Sequence, residues 1–303
     1  MGSLRELAGA TALLLCAMTL AVVLAGPRVH FIGLPERTTN VAAKSSIRKV
    51  AVLPKRASPS APAIAAAVPS HLPEHVVVAA ALPPVTLTVD SALAGTEPGA
   101  VAAHVIARVP PALAPYFDVY LYVSKAAAGA WAQHLFYFKK TGTKLSFVES
   151  FPVSTGREED EQYFTSTPMG LFQLDPERFM PVAYSAKWDD AEMPWAMFLN
   201  YSYRTQMTGV ALHAAVGARE VSELGQRASG GCVRLPLDKA DELFHRFEAE
   251  EKGLVPVFAF DESRGTTNVD GIVVPRGGGR VLLTEGVRVL VVVEDDPGPA
   301  QSS

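Results

Sequence analysis

The chain has 303 residues, 49% apolar and 19% charged, with 27 Lys and Arg against 31 Asp and Glu, so the formal net charge is −4. This is a globular composition with room for one or two domains. A pI near 6.0 argues against a nucleic-acid partner, which calls for a basic domain, and two cysteines, Cys16 and Cys232, cannot build a disulfide framework or a thiolate metal cluster.

In chain order, the first feature is a run without charge from Leu7 to Pro27, rich in Ala, Leu and Val and preceded by Arg5. Two readings stand. Val23-Leu24-Ala25 places small residues ahead of a cut before Gly26, as in an export signal. The run also has the length of about 20 residues that a membrane anchor needs. Either way residues 1–26 direct the rest of the chain to an extracytoplasmic, periplasmic site, and any membrane contact is made through residues 7–26. Segment 26–56 follows with seven Lys or Arg and one acid, Glu36. It reads as a solvated basic linker or as a stretch that touches anionic lipid or wall polymers.

Segment 54–115 holds 11 of the 23 prolines and no aromatic residue. Such a stretch buries little, so residues 27–115 are expected as a Pro/Ala-rich, largely disordered linker. A small Val-rich module at 76–109, with "VTLTV" as a strand, is the alternative.

The core is expected at 116–260, where 24 of the 25 aromatic residues lie. Alternation and β-branched runs predict strands near 117–124, 132–138, 145–153, 170–174, 194–200, 208–213 and 254–260. One helix is predicted over 238–250, with Asp238 as N-cap and Gly253 as terminator. The fold class is therefore mostly β with few helices. In the tail, 261–303, the strands 280–284 and 287–293 are expected as a hairpin turned at Glu285-Gly286 that packs on the domain or adds strands to its sheet.

Cys232 is the only thiol outside the N-terminal run. It sits in Ala228-Ser229-Gly230-Gly231-Cys232-Val233-Arg234. A lone cysteine outside the cytoplasm is either buried and inert or a nucleophile. The two glycines permit a tight turn that aims successive amides at one point, so the N–H groups of Gly231 and Cys232 are candidate oxyanion donors. The helix that follows is expected to favour a thiolate modestly. His213 closes a short apolar strand in "MTGVALHAAVG" and is the candidate base. Ser229 is a candidate to hold the turn. Arg234 is a candidate to brace it or to hold a substrate carboxylate. Tyr184, Ser185, Met193 and Trp195 are candidates for a substrate groove, with core packing the better reading for the Met and the aromatics. "WDDAE" at 188–192 lacks a His or Cys to complete a metal site, and no cofactor is expected.

The stretch "GVALHAAVGAREVSELGQRASGGCVRL" resembles the signature of the L,D-transpeptidase (YkuD) catalytic domain. "FPVSTGR", "TSTPMGLFQL", "MPWAMFL" and "GLVPVFAF" resemble further segments of that family in the same order. The resemblance implies a YkuD-like β-sandwich over about 116–260. It implies a peptidoglycan L,D-transpeptidase that cleaves an L-centre–D-Ala bond of a stem tetrapeptide through a Cys232 acyl-enzyme, with His213 as base. The acyl acceptor would be a second stem, a D-amino acid, a wall-linked protein or water, and water would make the same scaffold a hydrolase. A peptidoglycan-binding module without chemistry is the other alternative. One departure stands out: the family usually has His immediately before Gly-Cys, and here the residue is Gly230.

Overall fold

A computed structural model describes residues 67–69, 75–159 and 165–300. The candidate signal or anchor and the basic flank lie outside the described residues. The longer elements are β1 (Val76–Ala80), α1 (Glu97–Arg108), β2 (Val119–Ser124), β3 (His134–Thr141), β4 (Lys144–Pro152), β5 (Gly170–Ser185), β6 (Ala191–Leu199), β7 (Ala211–Ala214), α2 (Gly217–Ser222), β8 (Val233–Leu235), α3 (Leu237–Glu250), β9 (Lys252–Pro256), β10 (Arg280–Val287) and β11 (Val289–Glu294). The mostly-β expectation holds, and each of the seven expected core strands has a counterpart.

The main sheet has nine strands in the order β8-β7-β6-β5-β11-β2-β3-β4, closed at its far edge by the two-residue strand Thr88–Val89. Side chains alternate across it. On one face Val119, Leu121 and Val123 of β2 and Val289, Val291 and Val293 of β11 meet Ala240, Leu243, Phe244 and Phe247 of α3. The spacing of those four α3 residues is one helical stripe. Tyr120, Tyr122, Leu290 and Val292 point the other way, onto Val101, Ala102 and Val105 of α1 and onto Val255, Val281 and Leu283. Those last residues belong to a second sheet formed by β1, β10, β9 and Pro275–Arg276. The molecule is thus a sandwich whose central sheet is covered by α3 on one side and by α1 and the second sheet on the other.

Three expectations are corrected. Residues 75–115 are no linker. Thr96 caps α1, its hydroxyl accepting from the Gly99 amide at 3.2 Å, with Pro98 in the first turn. Alanine, which made the segment look featureless, is the best helix former, and Val101, Ala102 and Val105 give the helix an apolar stripe that is wholly buried. The tail is no hairpin either. Gly286 lies within β10, opposite Gly253, and β10 and β11 enter different sheets on either side of Arg288. The run Val289-Leu290-Val291-Val292-Val293 is buried on both faces, so it takes a central place, parallel to β2 and antiparallel to β5. At α3, Pro236 rather than Asp238 is the N-cap, Leu237 is exposed, and the chain passes at Glu251 straight into β9, which contains Gly253.

Candidate functional site

β8 is the edge strand, three residues long and parallel to β7, with Leu212 opposite Val233 and His213 opposite Arg234. Leu212, Ala214, Val233 and Leu235 face α3. Ala211 and Cys232 pack on the reverse face with Ala183, Met193, Ala196 and Phe198, and alternation puts His213 on that same face. Sulfur and imidazole therefore share one side of two neighbouring strands, at the end of the sheet away from α1.

A series of hydrogen bonds holds the turn before Cys232. Gly231 has φ +114°, a backbone that disfavours any side chain. Ser229, fully buried, donates to the Cys232 carbonyl at 2.5 Å and accepts from the Gly231 amide at 3.1 Å. Thr167 donates to the Gly231 carbonyl at 2.9 Å and accepts from the Gly156 amide at 2.8 Å. The Thr155 carbonyl accepts the amides of Ala228 and Ser229, while the buried Gln133 accepts the Thr155 amide at 2.9 Å. Buried polar groups left unpaired cost about 1–3 kcal/mol each, so this network favours one conformation of the turn. It also corrects an expectation. The Gly231 N–H is already engaged by Ser229 and is no oxyanion donor, whereas the Cys232 amide makes no hydrogen bond among the described residues.

His213 is 4% exposed, and its Nδ1 lies 2.9 Å from the Ala214 carbonyl oxygen. A carbonyl only accepts, so Nδ1 carries the proton and Nε2 keeps a lone pair. Burial lowers the imidazole from 6.5 to about 4; the Ala214 bond opposes this and Arg234 adds to it. Burial likewise raises the Cys232 thiol, against the Ala211 amide and the charges of Arg234 and Lys187. The thiol also donates to the Gly209 carbonyl at 3.5 Å, which only its protonated form can do. The resting pair is thus neutral thiol and neutral imidazole. The thiolate expected from the following helix is outweighed by desolvation.

Arg234 is engaged by two carboxylates, Glu220 at 3.0 Å and Glu223 at 2.8 Å, which tie β8 to α2 and the turn after it. Its amide and carbonyl pair with Ser154. This is the geometry of a brace. Of the groove candidates, Met193 lines the apolar wall that Cys232 packs against, and Ser185 is buried at the end of β5. Tyr184 is exposed, on the opposite face of β5 from Ala183. Trp195 turns to the α3 side, its ring 5.4 Å from Phe244 and 5.0 Å from His245, so it is not brought to Cys232. Gly230 lies directly under the Trp188 indole. Sequence reasoning assigned no role to Gln133, Thr155, Thr167, Glu220, Glu223 or Trp188. Thr155 and Thr167 lie in two of the five segments quoted for the resemblance, which was the signal available for them.

The model of the L,D-transpeptidase catalytic domain family YkuD matches residues 119–270, half of the chain. Among solved structures, the chain is similar to the LD transpeptidase LdtMt1 in complex with imipenem: 14% identity, 58% of this chain and 59% of that one, TM-score 0.32. It is similar to Bd1075 of Bdellovibrio bacteriovorus: 18% identity, 43% and 44% of the two chains, TM-score 0.27. A third likeness is to the helical cell shape determining protein Pgp2 of Campylobacter jejuni: 14% identity, 59% and 48% of the chains, TM-score 0.29. The likeness spans less than two thirds of the length of each. No curated protein matches.

Proposed function

The chain belongs to the L,D-transpeptidase catalytic domain (YkuD) family, and from that premise we propose that it is a cysteine acyltransferase acting on peptidoglycan stem peptides outside the cytoplasm. The observation that carries this reading is the pairing of Cys232 with an imidazole on the same sheet face whose Nδ1 is tied to a carbonyl, so that Nε2 is basic.

Cys232 Sγ attacks the carbonyl of an L-centre–D-Ala bond as His213 Nε2 takes the thiol proton. Because both groups rest neutral, proton transfer accompanies attack rather than preceding it. The oxyanion is received by the Cys232 amide. His213 then gives its proton to the departing D-Ala amine, leaving a thioester. A second stem, a D-amino acid or a lysine of a wall-linked protein resolves the thioester with its amine. Ser229 holds the turn, Arg234 braces it, and Gly230 and Met193 shape the space beside the sulfur. Residues 1–26 serve export or anchoring.

The test is incubation of the full chain with a disaccharide-tetrapeptide, followed by mass spectrometry. A cross-linked dimer is the expected product. A tripeptide alone would make the protein a hydrolase on the same acyl-enzyme. Unchanged substrate with no thioester adduct on Cys232 would overturn the catalytic reading in favour of a binding module.

A further inference from the structure

We propose that His104, Glu294 and Asp296 form a site for one divalent transition-metal ion of the zinc class, with the buried hydroxyl of Tyr122 accepting from a water on that ion. The ion clips α1 to the segment that follows β11. All three ligands lie outside residues 119–270, and the proposal does not depend on the acyl-transfer reading.

The ligands come from two places far apart in the chain. Alternation along β2 and β11 turns Tyr122 and Glu294 to the face that α1 covers, with Val292 beside Tyr122. His104 stands on α1 just before the buried Val105, and its Nε2 contacts the Glu294 carboxylate. The same Nε2 is 3.5 Å from Asp296 Oδ2. All three ligand atoms lie within 4.8 Å of one another. Metal–ligand bonds of about 2.1 Å at a tetrahedral angle set ligands roughly 3.4 Å apart, so small side-chain shifts enclose an ion. One imidazole with two carboxylates suits zinc, and three protein ligands leave a fourth position to water. The ion replaces the proton that Nε2 shares with Glu294, and binding releases that proton.

Both carboxylates are already oriented. The Gly298 amide donates to Asp296 Oδ1 at 2.8 Å and the Ser124 hydroxyl to the Asp296 carbonyl at 2.5 Å, which leaves Oδ2 for the cluster. Glu294 Oε1 accepts from Arg108 Nε at 3.1 Å, which leaves Oε2. Arg108 also meets Asp270 at 3.5 Å, so Glu294 and Asp296 hold two negative charges against one shared positive charge. A cation corrects that imbalance. Tyr122 supplies an independent indication. It is fully buried, and its hydroxyl makes no hydrogen bond among the described residues. Its ring stands edge-on to His104 at 5.5 Å, and the hydroxyl lies within electrostatic reach of both Glu294 and Asp296. A buried hydroxyl without a partner is costly, and a metal-bound water donating to it removes the cost.

The test is titration calorimetry of the chelator-treated full chain with zinc chloride. One ion per chain is expected, with a higher melting temperature on saturation. His104→Ala and Asp296→Asn should each weaken binding by more than about a hundredfold and abolish the melting shift, and Tyr122→Phe should weaken binding about tenfold. Circular dichroism checks that each variant is folded. Cobalt in place of zinc should give a visible spectrum without a sulfur charge-transfer band, which separates this site from Cys16 and Cys232. No zinc binding, binding unmoved by His104→Ala and Asp296→Asn, a sulfur band, or a Tyr122→Phe affinity equal to that of the parent would each overturn the proposal. So would a chain that loses stability on His104→Ala and gains none from zinc, which would leave the three residues as an ion-pair cluster and nothing more.

Discussion

β11 and β8 lie in one sheet and do opposite work. β11 is six residues long, hydrogen-bonded on both edges, and its Val289–Val293 run is wholly buried. It carries no candidate site residue. β8 has three residues and lies at the edge, flanked by a turn whose backbone has left the ladder. That edge carries Cys232. A central strand spends every backbone group on its neighbours, whereas an edge strand can hold a reactive side chain and an uncommitted amide at a surface. Stability is concentrated near β11 and the proposed chemistry near β8, and substitutions can separate the two.

The largest expected effect is at the centre. Val291→Asp would place an unpaired carboxylate in the middle of the α3 core, costing upwards of about 4 kcal/mol, and circular dichroism should show an unfolded or aggregated chain. Cys232→Ser should melt within a few degrees of the parent while its thioester adduct disappears. If instead the serine variant unfolds and the aspartate variant does not, the division of labour is wrong.

Next comes the pH response of His213. Its folded value is about 4 against 6.5 ordinarily, so the unfolded chain takes up the proton first as pH falls. Stability from this group is complete above pH 6.5 and is lost on the way down to about 4, by roughly 3 kcal/mol in all. Melting temperatures of the parent and of His213→Gln between pH 7.5 and 4.5 should converge at the acid end. Parallel curves would show that the imidazole is not held neutral by burial.

Ser229→Ala removes the hydroxyl that bridges Gly231 and Cys232. It should cost about 1–3 kcal/mol and lower turnover more than binding, because the sulfur loses its aim before the groove changes. A fall in binding alone would assign Ser229 to the substrate. The smallest effect is expected far from the sulfur, where Thr96→Ala should destabilise the chain by about 1 kcal/mol with no change in adduct formation. No loss at all would mean that α1 is held by its apolar stripe without help from its cap.

The core strands were legible because their apolar residues alternate with period two, and the α3 stripe because Ala240, Phe244 and Phe247 recur with helical spacing. Cys232, Ser229, Arg234 and His213 stood out through residue type, glycine context and family resemblance. For Trp195 the sequence weighed groove lining against core packing and favoured packing, and its contact with Phe244 and His245 reveals the side it takes. Helix α1 was hidden by composition, since alanines and prolines score as linker until Thr96 and Pro98 are recognised as a cap and first turn.

By itself the sequence determined the local periods, the backbone freedom at Gly231, and which residue types could act as nucleophile and base. Tertiary structure alone decided that β10 and β11 part into different sheets, that Trp188 fills the space over Gly230, and that burial leaves both Cys232 and His213 uncharged. The physical reason is common to all three. Burial and contact between segments far apart in the chain depend on how those segments are brought together, and neighbouring residues carry no record of that.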